Sequence, residues 1–237
     1  MIQSPIKALT FDTFGTVVDW RTSIINDLSQ YGNGLGLSVD WAQFVDEWKN
    51  AYKPGMDKVR RGEWPWTSID DIYRRAMNDL APHYGLDGLD ETALHHINRV
   101  WYRLLPWSDV IPGLNRLKQK YIISTLSNGD VAMLTNMAKY GGLPWDVILC
   151  GEIFHHFKPD PEIYLGAIKM LGCEPHEVMM VAAHNDDLRH ARSHGMRTGF
   201  VLRTSEYGPQ QTTNLAPTEA WDVIANNFEE LATALAC

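Results

Sequence analysis

The sequence predicts an α/β fold, a parallel sheet with crossover helices interrupted by an inserted α-helical cap, and three features of the 237 residues carry that prediction. Four short β-rich runs in the second half, at 121–126 (YIISTL), 147–150, 178–183 (VMMVAA) and 198–202, are separated by helix-length stretches, the alternation of a parallel sheet. A solitary apolar run near the other end, at 6–12, has no neighbouring strand and most simply joins that sheet. Between them, apolar residues recur at helical spacing from about Asp40 to Leu105, with no strand pattern. The expected organisation is a core of residues 1–17 and 105–237, with a helical cap at 18–104.

The first strand lies in KALTFDTFGT, where Ala8, Leu9 and Phe11 deliver one carboxylate, Asp12, into a turn that Gly15 can form and Thr16 closes. In a parallel α/β sheet the carboxyl ends of the strands open onto the ligand crevice, so Asp12 reads as a nucleophile flanked by turn N–H groups. The plainer alternative is an Asp that caps the next helix. That helix spans 17–37 and is expected to break in the glycine-rich YGNGLGL, at Gly32, Gly34 and Gly36. In the cap, Trp41, Phe44, Val45, Trp48, Tyr52, Met56 and Val59 keep helical spacing, followed by Ile69, Ile72, Tyr73, Met77 and Leu80. Trp41, Trp48, Trp64 and Trp66 suggest an aromatic surface closing over the crevice, or else an ordinary helix–helix core. A final helix at 227–235 follows a loop at 214–217.

Bulk properties exclude several classes. A net charge of -8 without a basic tract disfavours nucleic acid or an anionic membrane as partner. No apolar run reaches the roughly 20 residues that cross a bilayer, and MIQSPIK lacks the charged-then-apolar profile of a secretion signal, so the chain reads as cytoplasmic. Cys150, Cys173 and Cys237 fit reduced thiols better than a disulfide frame or a zinc site. A homodimer is expected only on general grounds.

If the sheet is right, its other strand ends converge on Asp12. The run at 121–126 is followed by Ser127-Asn128-Gly129, neutral donors able to hold an anion, or alternatively a helix N-cap. The run at 147–150 leads to FKPDPEIY, where Pro159 and Pro161 pin the backbone beside Lys158, and Tyr164 lies six residues on. A lysine beside a crevice carboxylate holds it ionised. The run at 178–183 ends in His184-Asn185-Asp186-Asp187, a polar cluster of which one or two members are expected to be catalytic.

DxxGT at Asp12, then SNG at Ser127, KPDPxxY at Lys158 and the acidic cluster at Asp187, with a helical segment after the first, resemble the haloacid dehalogenase (HAD) superfamily. The resemblance runs from the first strand to the last and implies a Rossmann-like core with a helical cap. The phosphatase branch of that superfamily carries a second Asp two residues after the nucleophile and binds magnesium with further carboxylates. Here those positions hold Phe14 and, with the best local alignment, Ala183. A phenyl ring cannot exchange a proton with a leaving group, and a missing carboxylate weakens a site for a hard cation.

The chain is more similar to the L-2-haloacid dehalogenases, for which no metal or cofactor is expected. That resemblance implies attack by Asp12 on the C2 carbon of a 2-haloacid, loss of halide, an aspartyl ester, and hydrolysis to a 2-hydroxy acid with inversion. It assigns catalytic places to Asp12, Thr16, Lys158, Tyr164, His184 and Asp187, and contacts with substrate or halide to Thr13, Phe14, Lys49, Ser127 and Asn128. Two departures stand out: Lys49, in EWKNAY, sits where the family uses an arginine beside the halide, and His184 replaces an Asn, so that His184 and Asp187 both become candidates to activate water. The rival expectations are a magnesium-dependent phosphatase of a small metabolite and a non-catalytic binding protein on the same scaffold.

Overall fold

The computed structural model describes residues 5–237, so the first four residues of the segment read for a secretion signal lie outside it. Strand β1 (Ala8–Phe11) is followed by five helices: α1 (Trp20–Gly34), α2 (Trp41–Asn50), α3 (Tyr52–Arg60), α4 (Ile69–Leu80) and α5 (Glu91–Asn98), with 3₁₀ turns at Ala81–Tyr84 and Arg99–Tyr102. Then come α6 (Val110–Leu117), β2 (Ile122–Thr125), α7 (Val131–Gly141), α8 (Gly151–Phe154), α9 (Pro161–Met170) and β3 (Val178–Ala182). The chain closes with α10 (Asn185–Ser193), β4 (Arg197–Val201), β5 (Val223–Ala225) and α11 (Phe228–Ala234). No helix among the described residues is long and apolar enough to cross a membrane.

The strands form a parallel sheet in the order β2-β1-β3-β4-β5, with Ala8 of β1 opposite Ile122 on one side and Val178 on the other. Because strand side chains alternate between faces, Leu9, Phe11, Met179 and Val181 join one apolar cluster, while Ala8, Val178, Met180 and Ala182 join a second. The first cluster is shared with α6, α7, α11 and the helices inserted after β1; the second is closed by Ile163, Tyr164, Ala167 and Ile168 of α9 and Leu188 and Ala191 of α10. Both faces are covered, which explains why β1 and β3 are buried at every position and show no alternation of buried and exposed residues.

The helical insert is clamped to the sheet domain by polar contacts. Asp130, at the start of α7, accepts from the backbone N–H of Ile69 (3.0 Å) and Asp70 (2.8 Å) at the start of α4. Arg60, ending α3, donates to the carbonyls of Phe157 (3.0 Å) and Lys158 (2.6 Å) and to Asp160 (2.9 Å). Each contact satisfies helix-end or loop groups that would otherwise need water.

Three elements differ from the sequence expectation. The run at 147–150 is not a ladder strand: it touches the edge of β2 only by isolated bridges, Ser124 to Val147 and Ser127 to Cys150. The Thr125 hydroxyl accepts from Leu149 N–H (3.0 Å) in place of a backbone acceptor, while Leu149 C=O accepts from both that hydroxyl (2.8 Å) and Ser127 N–H (3.3 Å). Helix α1 passes through Gly32 and ends at Gly34, inside the glycine-rich segment as expected, so of the glycines named only Gly32 fails to interrupt it. Gly32 instead lets Trp41 approach closely, since a Cβ there would lie 2.7 Å from the indole Cζ2. Finally, the three-residue β5 is too short to show a pattern.

Candidate active site

Asp12 leaves β1 with its N–H bonded to Val181 C=O (3.0 Å) and a turn following it. Thr13 C=O accepts from both Val17 and Val18 N–H, and Gly15 takes the left-handed φ of 86° that such a reversal needs. Trp107 Nε1 donates to Gly15 C=O (2.9 Å), and Arg203 donates to Thr16 C=O (3.0 Å) while gripping Asp109 through two bonds (2.8 and 2.9 Å). The helix is capped by Asp19, whose carboxylate accepts from Thr22 N–H, so capping is not the role of Asp12.

Every acceptor position of the buried Asp12 carboxylate that the structure fills is filled by a donor. Lys158 Nζ lies 2.8 Å from Oδ1; Thr16 Oγ1 donates to Oδ2 at 2.7 Å, and His184 Nδ1 is 3.0 Å from the same oxygen. Thr16 is itself fixed by accepting from Ala183 N–H (2.9 Å). Burial alone would raise the carboxyl, but the Lys158 charge, followed by the bond and charge from His184, outweighs it and holds Asp12 well below the usual carboxylate range. Burial likewise opposes the charge on Lys158, yet Asp12 and Asp187 together raise its pKa above that of a free lysine. Lys158 also contacts Asp187 Oδ2, and Tyr164 OH donates to Asp187 Oδ1 at 2.7 Å.

His184 lies between two carboxylates, with Nδ1 towards Asp12 and Nε2 2.8 Å from Glu206 Oε2. Burial favours the neutral ring, but Glu206 and Asp12 overcome it and lift the pKa well above the ordinary histidine value. With a carboxylate oxygen facing each ring nitrogen, the geometry favours the doubly protonated ring, which has no free lone pair.

Asp12, Lys158, Tyr164, His184 and Asp187 line a cavity of about 520 Å³ whose wall also includes Phe14, Lys49, Tyr52, Asn128, Glu206 and Tyr207. Lys49 Nζ sits 4.2 Å from the Tyr52 ring centroid, 5.4 Å from that of Trp20 and 5.8 Å from that of Phe14. Burial lowers its pKa, against the opposing pull of Glu206 and Asp12. Asn128 accepts from Lys158 N–H at 2.6 Å, tying the SNG turn to the KPDP turn.

The structure thus brings together Asp12, Thr16, Lys158, Tyr164, His184 and Asp187 around one carboxylate, with Phe14, Lys49 and Asn128 on the cavity wall. Thr13 and Ser127 are fully buried and do not line the cavity; Ser127 Oγ accepts from Gly129 N–H (3.2 Å) and shapes its turn. The four tryptophans singled out in the cap do not line it either. Trp48 packs on Tyr73 and Trp101, and Trp66 stacks on His155 and Phe157, as an ordinary core would have them.

Sequence reasoning missed Glu206, Tyr52 and Tyr207. Glu206 had a usable signal, because the strand-end rule applied to the run at 198–202 points to the segment that carries it. Tyr52 lies three residues after Lys49 on consecutive helices, a relation that periodicity alone does not distinguish from core packing.

These side chains offer little to the magnesium of the phosphatase branch. Ala183 supplies no side-chain oxygen where the resemblance would place a magnesium carboxylate, and the ammonium of Lys158 already bridges Asp12 and Asp187. Among the described residues no group of three or more His, Cys, Asp or Glu side chains is arranged to hold a metal ion. The residues do not fit the ion.

A parallel sheet presenting one strand-end Asp to a capped cavity defines a hydrolase of the HAD fold. The family model described as haloacid dehalogenase-like hydrolase matches residues 6–195, and the chain belongs to that family. Among solved structures it is similar to an L-2-haloacid dehalogenase, 44% identical with a TM-score of 0.95, covering 98% of this chain and 99% of that one. It is also similar to a defluorinating L-2-haloacid dehalogenase, 42% identical with a TM-score of 0.94, covering 98% of this chain and 96% of that one. A curated relative, (S)-2-haloacid dehalogenase 4A of Burkholderia cepacia, is 26% identical over 245 residues, 96% of this chain and 98% of the relative.

Proposed function

We propose that this protein hydrolyses short 2-haloalkanoic acids to 2-hydroxy acids, with Asp12 as nucleophile, through an aspartyl ester, without a metal and with inversion at C2. The observation that carries the reading is the pairing of an Asp12 held ionised by Lys158 with a phenyl ring, Phe14, where a phosphoryl-transfer enzyme would need a proton donor. A halide leaves as a stable anion and needs no proton, so carbon–halide cleavage tolerates that ring while phosphate-ester cleavage does not.

In the first step an oxygen of Asp12 forms a bond to C2 from behind, and the carbon–halide bond breaks with its electron pair on the halide. Lys49 and the Asn128 amide supply positive charge and a donor for the departing ion, and the rings around Lys49 exclude water that would dilute that charge. Turn N–H groups, shaped by Ser127 and Thr13, receive the substrate carboxylate. In the second step water attacks Cγ of Asp12 and the hydroxy acid departs. Asp187 keeps Lys158 in place, and Tyr164 orients Asp187.

Halide release from a panel of 2-halo acids of both configurations, with fluoroacetate included and with and without chelator, tests this reading. Release from one configuration that survives EDTA supports it. Hydrolysis of an aryl phosphate that EDTA abolishes, with no halide released, overturns it in favour of a phosphatase.

A further inference from the structure

Resting on that reading, we infer that Glu206 is the positioning residue of the second step: it holds His184 so that Nδ1, freed when Asp12 is esterified, takes the proton from the attacking water. The juxtaposition is a line of buried groups, Trp20 Nε1 to Glu206 Oε1 (3.1 Å), Glu206 Oε2 to His184 Nε2 (2.8 Å), and His184 Nδ1 to Asp12 Oδ2 (3.0 Å). Glu206 is only 2% exposed, and its carboxylate packs over the bare Cα of Gly15, where a Cβ would lie 2.1 Å from Cδ. A carboxylate this enclosed, with each oxygen bonded to a ring N–H, fixes both the position and the tautomer of the imidazole.

The geometry separates His184 from Asp187. Both Asp187 oxygens are engaged, one by Lys158 and one by Tyr164, so a proton placed there would break an ion pair. His184 Nδ1 instead faces the carboxyl group that changes charge during the reaction. In the resting state its N–H donates to the Asp12 anion; esterification removes that anion and the reason for the second ring proton. The other charged or titratable groups near this line are Lys158 on the opposite oxygen of Asp12, Lys49, and Tyr207 beside Glu206. The two lysines favour loss of the ring proton at that stage, while Glu206 keeps the remaining N–H on Nε2.

The balance closes. Halide departure leaves a neutral ester and an imidazolium, which releases one proton to solvent, the proton formed in the net reaction. Water then adds to Asp12 Cγ and gives a proton to Nδ1; the Cγ–O bond to the product breaks, and the remaining hydroxyl proton of the tetrahedral intermediate passes to the departing alkoxide. Asp12 returns as an anion beside an imidazolium, the starting arrangement.

The test follows the two steps separately in Glu206→Gln, an isosteric change that keeps a hydrogen-bonding group but removes the charge. Rapid-quench measurement of halide and intact-protein mass are read on wild type, Glu206→Gln and Trp20→Phe with a 2-halo acid that the wild type turns over. The expected result for Glu206→Gln is a halide burst of one equivalent at near wild-type rate, an adduct accumulating on Asp12, and ester hydrolysis slowed about 100-fold or more. Trp20→Phe, which leaves the charge, is expected to slow the second step less. An equal slowing of both steps, or unchanged ester hydrolysis, overturns the inference. Failure of the wild type to release halide from any 2-halo acid instead overturns the proposed function, so the two failures are distinct.

Discussion

Lys158 Nζ lies 2.8 Å from Asp12 Oδ1 although 146 positions separate the two residues in sequence, and the same ammonium contacts Asp187. One buried cation therefore bridges two buried carboxylates, and its removal takes the shared ammonium from both, leaving Asp12 to Thr16 and His184 and Asp187 to Tyr164. Lys158→Met is expected to lower stability by about 3–5 kcal/mol, the usual range for breaking a buried ion pair, and to abolish halide release. Adding Asp187→Asn should recover part of the stability and none of the activity. Denaturant titration of the two single variants and the double variant checks this; additive losses would show that the groups are not coupled.

A second expectation concerns pH. Asp12 is held well below the usual carboxylate range, so no loss of nucleophile is expected on the acid side near pH 4. On the alkaline side Lys49 is lowered by burial, so it loses its proton, and the halide loses its cation, below the pH at which a free lysine would titrate. Halide release should therefore fall as pH rises, and Lys49→Arg, whose guanidinium stays charged, should move that fall to higher pH. His184→Gln should leave it in place. A fall that is the same in Lys49→Arg would assign it to another group.

Gly15 offers a third. Its φ of 86° and the Glu206 carboxylate at the site of any Cβ make Gly15→Ala unfavourable on two counts. A loss of about 2 kcal/mol or more is expected, with ester hydrolysis slowed more than halide release. Thermal unfolding together with the two-step kinetics reads both effects; an alanine variant as stable and as active as wild type would contradict the packing of Glu206 on the turn.

Much of this arrangement was legible in the chain. Strands that are apolar on both faces announce a covered parallel sheet, and that rule directs attention to the residues following them, where Asp12, Asn128, Lys158 and His184 stand. Short-range patterns do not reveal a side chain standing in for backbone, as Thr125 does for Leu149, nor a helix glycine kept for a tryptophan, as Gly32 is for Trp41. Glu206 is an intermediate case: the end of the run at 198–202 points to its loop, but a single acid in an irregular loop has no periodicity, and only folding singles it out by bringing it over Gly15 and against His184. The same limit explains Thr13 and Ser127, which stand in the motifs but whose side chains are buried and do not line the cavity.

The central claim, that Asp12 is the attacking group, is tested most directly by a single turnover with excess enzyme in oxygen-18 water, followed by peptide mass analysis and by the isotope content of the hydroxy acid. The account predicts one heavy oxygen in Asp12 and an unlabelled hydroxyl in the product of that first turnover, because water attacks Cγ and not C2. Label in the product hydroxyl with none in Asp12 would mean that water attacks the substrate carbon, and would contradict the account.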